Sequence, residues 1–320
     1  MAEMKRDIEE ATTISKEDLA RLTKEANEEA TPSRMKIMWG EFKADKPAMV
    51  SLFLLIFFIL FVIIASMFID VPKMMETNIM GYYNKPFTPE YWLGADAGGR
   101  SIAKELIVGS RNSISIAIGL TIISSTFGIC WGLVSGYFGG MVDLAMQRVY
   151  DFMMIIPMLM TIIVIVTIIP HYNAITLTLI LSIFYWMGTS RLIRSRTLAE
   201  SQKDYVAASK TSGTSNFKII FREIMPNISS LIIVDTTLSF AENIGVETGL
   251  SFLGFGLPMG TPSLGTLIAN ANDPENITQY WWTWLPAAVE IIILCLSISY
   301  IGQVMRRTTN AAQRRGQDQK

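Results

Sequence analysis

An all-α, polytopic membrane protein with six transmembrane helices is predicted by three observations. Half of the 320 residues are hydrophobic, 17% are charged and the mean hydropathy is +0.35; a soluble domain carries nearer ~25% charged residues. Apolar runs long enough to cross a bilayer recur along the chain, with polar intervals between them. Basic residues gather in alternate intervals, as the positive-inside bias requires of a chain that crosses repeatedly. The net charge of −1 adds little, because distribution and not sum sets topology.

Residues 1–33 are polar, rich in Glu, Lys and Thr, and read as a cytoplasmic N-terminal tail. Ser15-Lys16-Glu17-Asp18 has capping-box spacing, so a short solvated helix ending before Thr31-Pro32 and a disordered tail are both open there. Residues 34–70 are a juxtamembrane segment and the first span. Arg34, Lys36, Lys43 and Lys46 precede Ala48–Ile69, a charge-free run of 22 residues, and ~20 apolar residues cross the hydrocarbon core. The basic flank places this end in the cytoplasm. No signal-peptide pattern precedes the run, so it is expected to remain as an anchor. Residues 71–112, with Pro72, Pro86, Pro89 and Gly98-Gly99, form an extracellular loop by alternation.

Residues 113–305 form the core. The second span, Ser113 to Tyr137, carries Gly128, Gly132 and Gly136 at four-residue spacing, a stripe that lets another helix approach closely. Gly139-Gly140 makes a turn, and Asp143, Arg148 and Asp151 mark a cytoplasmic corner. The third span reaches about Ile169, with a kink expected at Pro157. Pro170 to Asn173 is an outer turn, and the fourth span runs from Ala174 to about Ser190. The fifth starts after Pro226 and reaches about Gly249. An extracellular loop, 250–283, contains Asp273 and Glu275 and no basic residue. Tyr280, Trp281, Trp282 and Trp284 suit an interfacial aromatic belt. The sixth span ends near Val304, and residues 306–320, with Arg306, Arg307, Arg314 and Arg315, are a cytoplasmic C-terminal tail. Both termini are thus expected inside.

The polar interval 191–226 is the most informative stretch. Its bases are Arg191, Arg194, Arg196, Lys203, Lys210, Lys218 and Arg222, against Glu200, Asp204 and Glu223, an excess that places it in the cytoplasm. Tyr205 to Ser212 forms a short helix that stops at Gly213, the residue suited to a left-handed cap. Ser215 or Asn216 caps a second helix. Phe217, Ile220, Phe221 and Ile224 fall at i, i+3, i+4 and i+7 and give that helix one apolar face. Pro226 is expected to separate it from the fifth span. The second helix then packs on the membrane domain, and the first points outward with small side chains, Ala207, Ala208 and Ser209, suited to insertion into a groove.

Catalytic chemistry is not expected. His171 is the single histidine, and Cys130 and Cys295 lie in apolar runs as small buried hydrophobes; together they make neither a triad nor a metal site. The chain has no GxxxxGK[ST] phosphate loop and no Gly-Lys pair, so ATP hydrolysis by this chain is excluded. Acids inside spans are costly and face protein or water. Asp235 and Glu242, seven residues apart on one face of the fifth span, Glu247 near its end and Glu290 in the sixth are candidates to line a pathway; pairing with polar groups of neighbouring helices is the competing role.

The interval 204–227 resembles the EAA loop of ABC-importer permeases. The spacing is Ala207-Ala208-Ser209, then Gly213, then Met225-Pro226, with Ala207, Ser209 and Met225 departing from the family's Glu, Ala and Leu. Asp204-Tyr205-Val206 is similar to the peptide branch. Leu93-Gly94-Ala95-Asp96-Ala97-Gly98-Gly99-Arg100 resembles the LGTDxxGRD stretch of the C-type permease of oligopeptide and dipeptide importers. Gly139-Gly140 with Asp143, Arg148, Asp151 and Pro157 resembles its next block. Glu247 to Gly256, followed by Thr261-Pro262-Ser263, resembles its EAALSFLGLG and TPS block, and Trp39 to Val50 is like the start of its first span.

The resemblance covers roughly residues 34–310 and implies a type I ABC-importer permease fold in a prokaryotic cell membrane. It implies pairing with a homologous second permease subunit, two ATPase subunits that use ATP-Mg on the cytoplasmic side, and an extracellular peptide-binding protein. No cofactor in this chain and no nucleic-acid partner is implied; membrane lipid surrounds it. Asp204, Tyr205, Val206, Ala207, Ala208, Ser209, Lys210, Gly213 and Pro226 would couple to the ATPases, and ATP-driven closure would switch the spans between inward- and outward-open. A permease for nickel chelates or another small solute shares these motifs. A secondary transporter, which needs a midplane ion site, and a membrane scaffold are the readings from other classes.

Overall fold

The computed structural model describes residue 40, residues 42–258 and residues 260–317, with side chains as far as Thr308. The Ser15–Asp18 spacing and the whole 1–33 tail lie outside the described residues. Among the described residues the chain is helical, with one isolated bridge between Ala95 and Ser101.

Helix α1, Lys46–Met67, begins where the Asp45 side chain accepts the Ala48 N–H at 3.0 Å, with proline in its first turn. It is apolar all round. Phe53, Phe57 and Phe61 stack along its exposed side with ring centroids 6.3 and 6.5 Å apart. A single turn, α2 (Val71–Met74), follows. The outer segment then folds back on itself: Asp96 accepts the Gly98 and Arg100 N–H groups at 2.9 and 2.8 Å and grips the Arg100 guanidinium at 2.8 and 2.5 Å. Burial alone would lower the Arg100 pKa; the Asp96 hydrogen bond and the charges of Glu105 and Asp96 outweigh it and hold it above its ordinary value. Tyr83 stacks on Tyr280 at 3.7 Å and Trp282 donates to the Ala95 carbonyl, so segments 70–101 and 269–284 close into one cap.

Helix α3, Ile102–Phe138, has 37 residues and a length of about 55 Å at the helical rise. It starts eleven residues before the expected second span, because nothing between Ile102 and Asn112 breaks a helix; the outer loop therefore ends at Ser101, and Glu105 and Arg111 are helical. Gly139 and Gly140, at φ +61° and +50°, turn the chain. α4 (Gly140–Ile155) and α5 (Met158–Ile168) are bent by 75° across Pro157. α6 (Ala174–Ser182) and α7 (Met187–Ser201) are bent by 42°. α7 continues through Arg191, Arg194 and Arg196, so the non-membrane-like interval begins with helix and loosens only after Ser201.

The glycine stripe finds its partner in α7. A Cβ on Gly128, Gly132 or Gly136 would sit 2.7, 2.7 and 2.6 Å from the carbonyl oxygens of Trp186, Ser190 and Arg194. Arg194 clamps the same corner, donating from Nε and Nη2 to Asp143 of α4 at 2.6 and 2.5 Å, while Ser135 of α3 donates to that carboxylate. Cys130 corrects its expected burial: it is exposed on α3, while Cys295 is half-buried and packs against the Ala241 and Ile298 cluster.

After α8 (Asp204–Thr211) and α9 (Asn216–Lys218), a π-helical turn, Ile219–Ile224, leads without interruption into α10, Met225–Phe252. Contrary to the expectation from sequence, Pro226 does not separate two helices. It occupies the first turn of α10, where its missing N–H costs least, and the wider π turn ahead absorbs the misfit. α11 (Leu264–Ile268) carries a capping box from Ser263 and Thr266; α12 (Pro274–Thr278) and α13 (Leu285–Gln317) complete the chain. Length and apolarity qualify α1, α3 and α13 to cross a membrane, and five spans result if each bent pair is one. α10 is long enough, but Asp235, Asn243, Glu242 and Glu247 keep it from being apolar enough.

Candidate coupling surface and helix-embedded acids

Helix α8 forms where it was expected, from Asp204 to a stop at Gly213, which has φ +77°. The Ser212 N–H donates to the Ala208 carbonyl at 2.9 Å and the Thr214 N–H to that of Ser209 at 3.1 Å, closing its last turn. One side chain fixes its orientation. Val206 has 0% exposure and enters a cluster with Leu133, Tyr137, Ile193, Ile219, Ile220 and Ile224, drawn from four elements. Opposite it, Asp204, Ala207, Ala208, Lys210, Thr211 and Gly213 are exposed, and Ser209 is half-buried.

The nine residues expected to couple therefore divide. Tyr205 and Val206 face the chain's own helices, Pro226 is exposed at the base of α10, and the others form an outward surface of small and charged side chains. Burial, first, and the neighbouring Glu200 and Glu223 push the Tyr205 phenol up to about 12, against the lowering effect of its hydrogen bond from Asn227. It is neutral and able to donate across the whole biological range.

The neighbouring helix keeps Ile220, Phe221 and Ile224 of the expected face and departs from it at Phe217. Ile219, Ile220 and Ile224 are buried, Phe221 is half-buried, and Phe217 is 72% exposed with its ring 4.5 Å from that of Phe221. The physical reason is the π turn: its i→i+5 bonding shifts the register of a 3.6-residue pattern, bringing Ile219 inward and leaving Phe217 outward. Tyr137, at the end of α3, was not singled out from sequence. Its hydroxyl donates to Asn216 Oδ1 at 2.8 Å and its ring lies 4.7 Å beneath Lys210 Nζ. A tyrosine just before a Gly-Gly turn was the available signal.

The four acids have four different surroundings. Asp235 is half-buried and accepts from Thr189 of α7 at 2.7 Å. Glu242 is exposed on the same helix, with Gly245 and Gly249, also exposed, continuing its stripe. Glu247 has 0% exposure. Ser251 donates to it at 2.7 Å, and the Ser113 and Ser263 hydroxyls lie close around the carboxylate; Ser113 also accepts the Leu264 N–H at 3.0 Å. Glu247 is thus enclosed where α10, α3 and the Thr261-Pro262-Ser263 segment meet, with no exposed surface of its own in this chain. Glu290 accepts a hydrogen bond from Ser110 of α3 and borders a groove of about 710 Å³ whose other walls include Leu54, Phe57, Phe58 and Val289. The contact joins α13 to α3 beside α1. Among the described residues no group of three or more His, Cys, Asp or Glu side chains could hold a metal ion.

Residues 128–310 match the family model for the binding-protein-dependent transport system inner membrane component, and residues 33–86 match that for the N-terminal TM domain of oligopeptide transport permease C. The chain is 53% identical over 273 residues to the oligopeptide transport system permease protein OppC of Lactococcus lactis subsp. cremoris, covering 85% of this chain and 93% of that one. It is 31% identical to the OppC of Bacillus subtilis (83% and 85% covered) and 29% identical to the dipeptide transport system permease protein DppC of the same species (87% and 85% covered).

Proposed function

This chain belongs to the binding-protein-dependent transport system inner membrane component family, and from that membership we propose that it is a permease subunit of an ATP-driven oligopeptide importer. It forms half of the pathway with a homologous second permease. Two ATPase subunits hydrolyse ATP-Mg on its cytoplasmic side, and an extracellular binding protein delivers the peptide. Six spans (α1, α3, α4–α5, α6–α7, α10 and α13) leave both termini in the cytoplasm. The polar residues of α10 are consistent with a span that faces protein or water instead of lipid.

The observation that carries this reading is α8: a short helix with an outward face of Ala207 and Ala208, anchored from behind by Val206. Small side chains admit close approach of a groove, and the exposed aromatic Phe217 in the same interval suits an interface anchor. Movement of α8 with the ATPases then tilts α7 and α10 as rigid bodies. Asp235 and Glu242 line the pathway on α10 and favour cationic ends of peptides. Glu247 and Glu290 serve packing. Co-expression with its partners, copurification and ATP-dependent uptake of labelled peptide into liposomes tests the reading. Absence of uptake from a fully assembled complex would sink it.

A further inference from the structure

The surface of α8 is one half of a coupling device; the other half is whatever makes α8 and the spans move together. Between α8 and α10 the covalent path is poor for this purpose. It passes through the cap at Gly213, the three-residue α9, the π turn Ile219–Ile224 and Pro226, which has no N–H to donate. π turns and prolines are where helices bend. A load applied to α8 would be absorbed at that joint unless something bypasses it.

A bypass is present in side chains. Tyr205, the second residue of α8, donates from its hydroxyl to Glu200 Oε1 of α7 at 3.1 Å. The Tyr205 hydroxyl oxygen itself accepts from Asn227 Nδ2 of α10 at 3.2 Å. Asn227 Nδ2 also donates to the Glu223 carbonyl at 2.9 Å, spanning the joint at Pro226. Glu200 is held in turn by Lys203, 2.9 Å from Oε1 and 2.7 Å from Oε2. One hydroxyl therefore meets three helices, immediately beside the fully buried Val206. Only a group that both donates and accepts can do this.

Resting on the permease reading, we infer that Tyr205, Glu200 and Asn227 form a clasp that transmits the displacement of α8 to α7 and α10, with Tyr205 as a positioning residue and not an ATPase contact. Tyr205→Phe keeps the ring and removes both bonds; Asn227→Ala removes the α10 side alone. One hydrogen bond to a carboxylate and one between neutral groups, in a partly shielded site, correspond to about a tenfold effect on coupling.

The test uses the complete complex in liposomes, with peptide uptake and ATP hydrolysis measured in the same samples. Expected for Tyr205→Phe is a complex with its full complement of subunits that still hydrolyses ATP but moves about tenfold less peptide per ATP. Asn227→Ala should show the same defect, and the double variant no greater one, since members of one network are not additive. A role confined to stability would lower the yield of complex and leave the peptide-to-ATP ratio untouched. A wild-type ratio in both variants would overturn the clasp. Loss of ATPase subunits on purification of Tyr205→Phe would overturn it too, by making Tyr205 a contact. Failure of the wild-type complex to take up peptide is a different result, and it counts against the permease reading itself.

Discussion

Ala207 and Ala208 lie one and two positions from Val206 along the chain and differ from it by their whole role in the structure. Val206 is buried, and shortening it to Ala removes two methyl groups from a packed cluster, which costs about 2 kcal/mol. The expected outcome is a lower melting temperature of the purified subunit. Ala208→Phe adds a ring on an exposed face, where surface changes stay within about 0.5 kcal/mol. Membrane insertion and melting should be unchanged while transport stops; normal uptake by that variant would remove α8 from the coupling surface. Glu242 and Glu247 form a second contrast. Glu242→Gln should reduce the preference for cationic over neutral peptides a few-fold, the scale of one solvent-exposed charge pair. Glu247→Leu should instead lower the yield of folded protein, because it strands the serines around it. The Tyr205 phenol is also directly measurable. Its pKa is raised, so whatever its burial contributes to stability is complete below pH ~10, the free phenol's pKa, and is lost as pH rises towards about 12. A spectrophotometric titration should show one tyrosine fewer ionising in that window for Tyr205→Phe than for the wild type. Most of these contrasts were not readable from sequence: four acids and nine loop residues look alike until their neighbours are known.

At the scale of elements, the close approach of α3 and α7 depends on the absence of three side chains. Gly132→Leu places a branched side chain where a Cβ already meets the Ser190 carbonyl oxygen at 2.7 Å. Overpacking of this kind costs about 1–3 kcal/mol or more, and the expected result is protease-sensitive protein with little assembled complex. The glycine spacing announced a helix-packing stripe, and the Pro157 bend and the Gly213 stop were equally plain, since each rests on the local stereochemistry of one residue. The joint between α9 and α10 was not plain. A 3.6-residue template puts Phe217 inward and Ile219 outward; the π turn reverses them, and a π turn has no sequence rule of its own. α3 was also longer than hydropathy suggested, because hydropathy marks where a helix meets lipid and not where it ends.

For the whole molecule, the proposed six-span topology makes a prediction that is independent of transport. With Cys130 and Cys295 replaced by Ser, a cysteine at His171, in its exposed turn, should react with an impermeant thiol reagent added outside intact cells. One at Lys210 should react only after the membrane is opened. Labelling of both from the same side would refute the arrangement. The amino-acid sequence by itself determined that this protein is helical, that apolar segments dominate it, and where α8 begins and stops, because hydropathy, charge flanks, prolines and left-handed glycines act locally. Tertiary structure alone decided which acids are caged and which are open, and that Val206 points inward while Phe217 points outward. It also decided that a single tyrosine hydroxyl joins α7, α8 and α10. Those properties belong to residues on different elements, whose meeting depends on how helices pack and on one irregular turn.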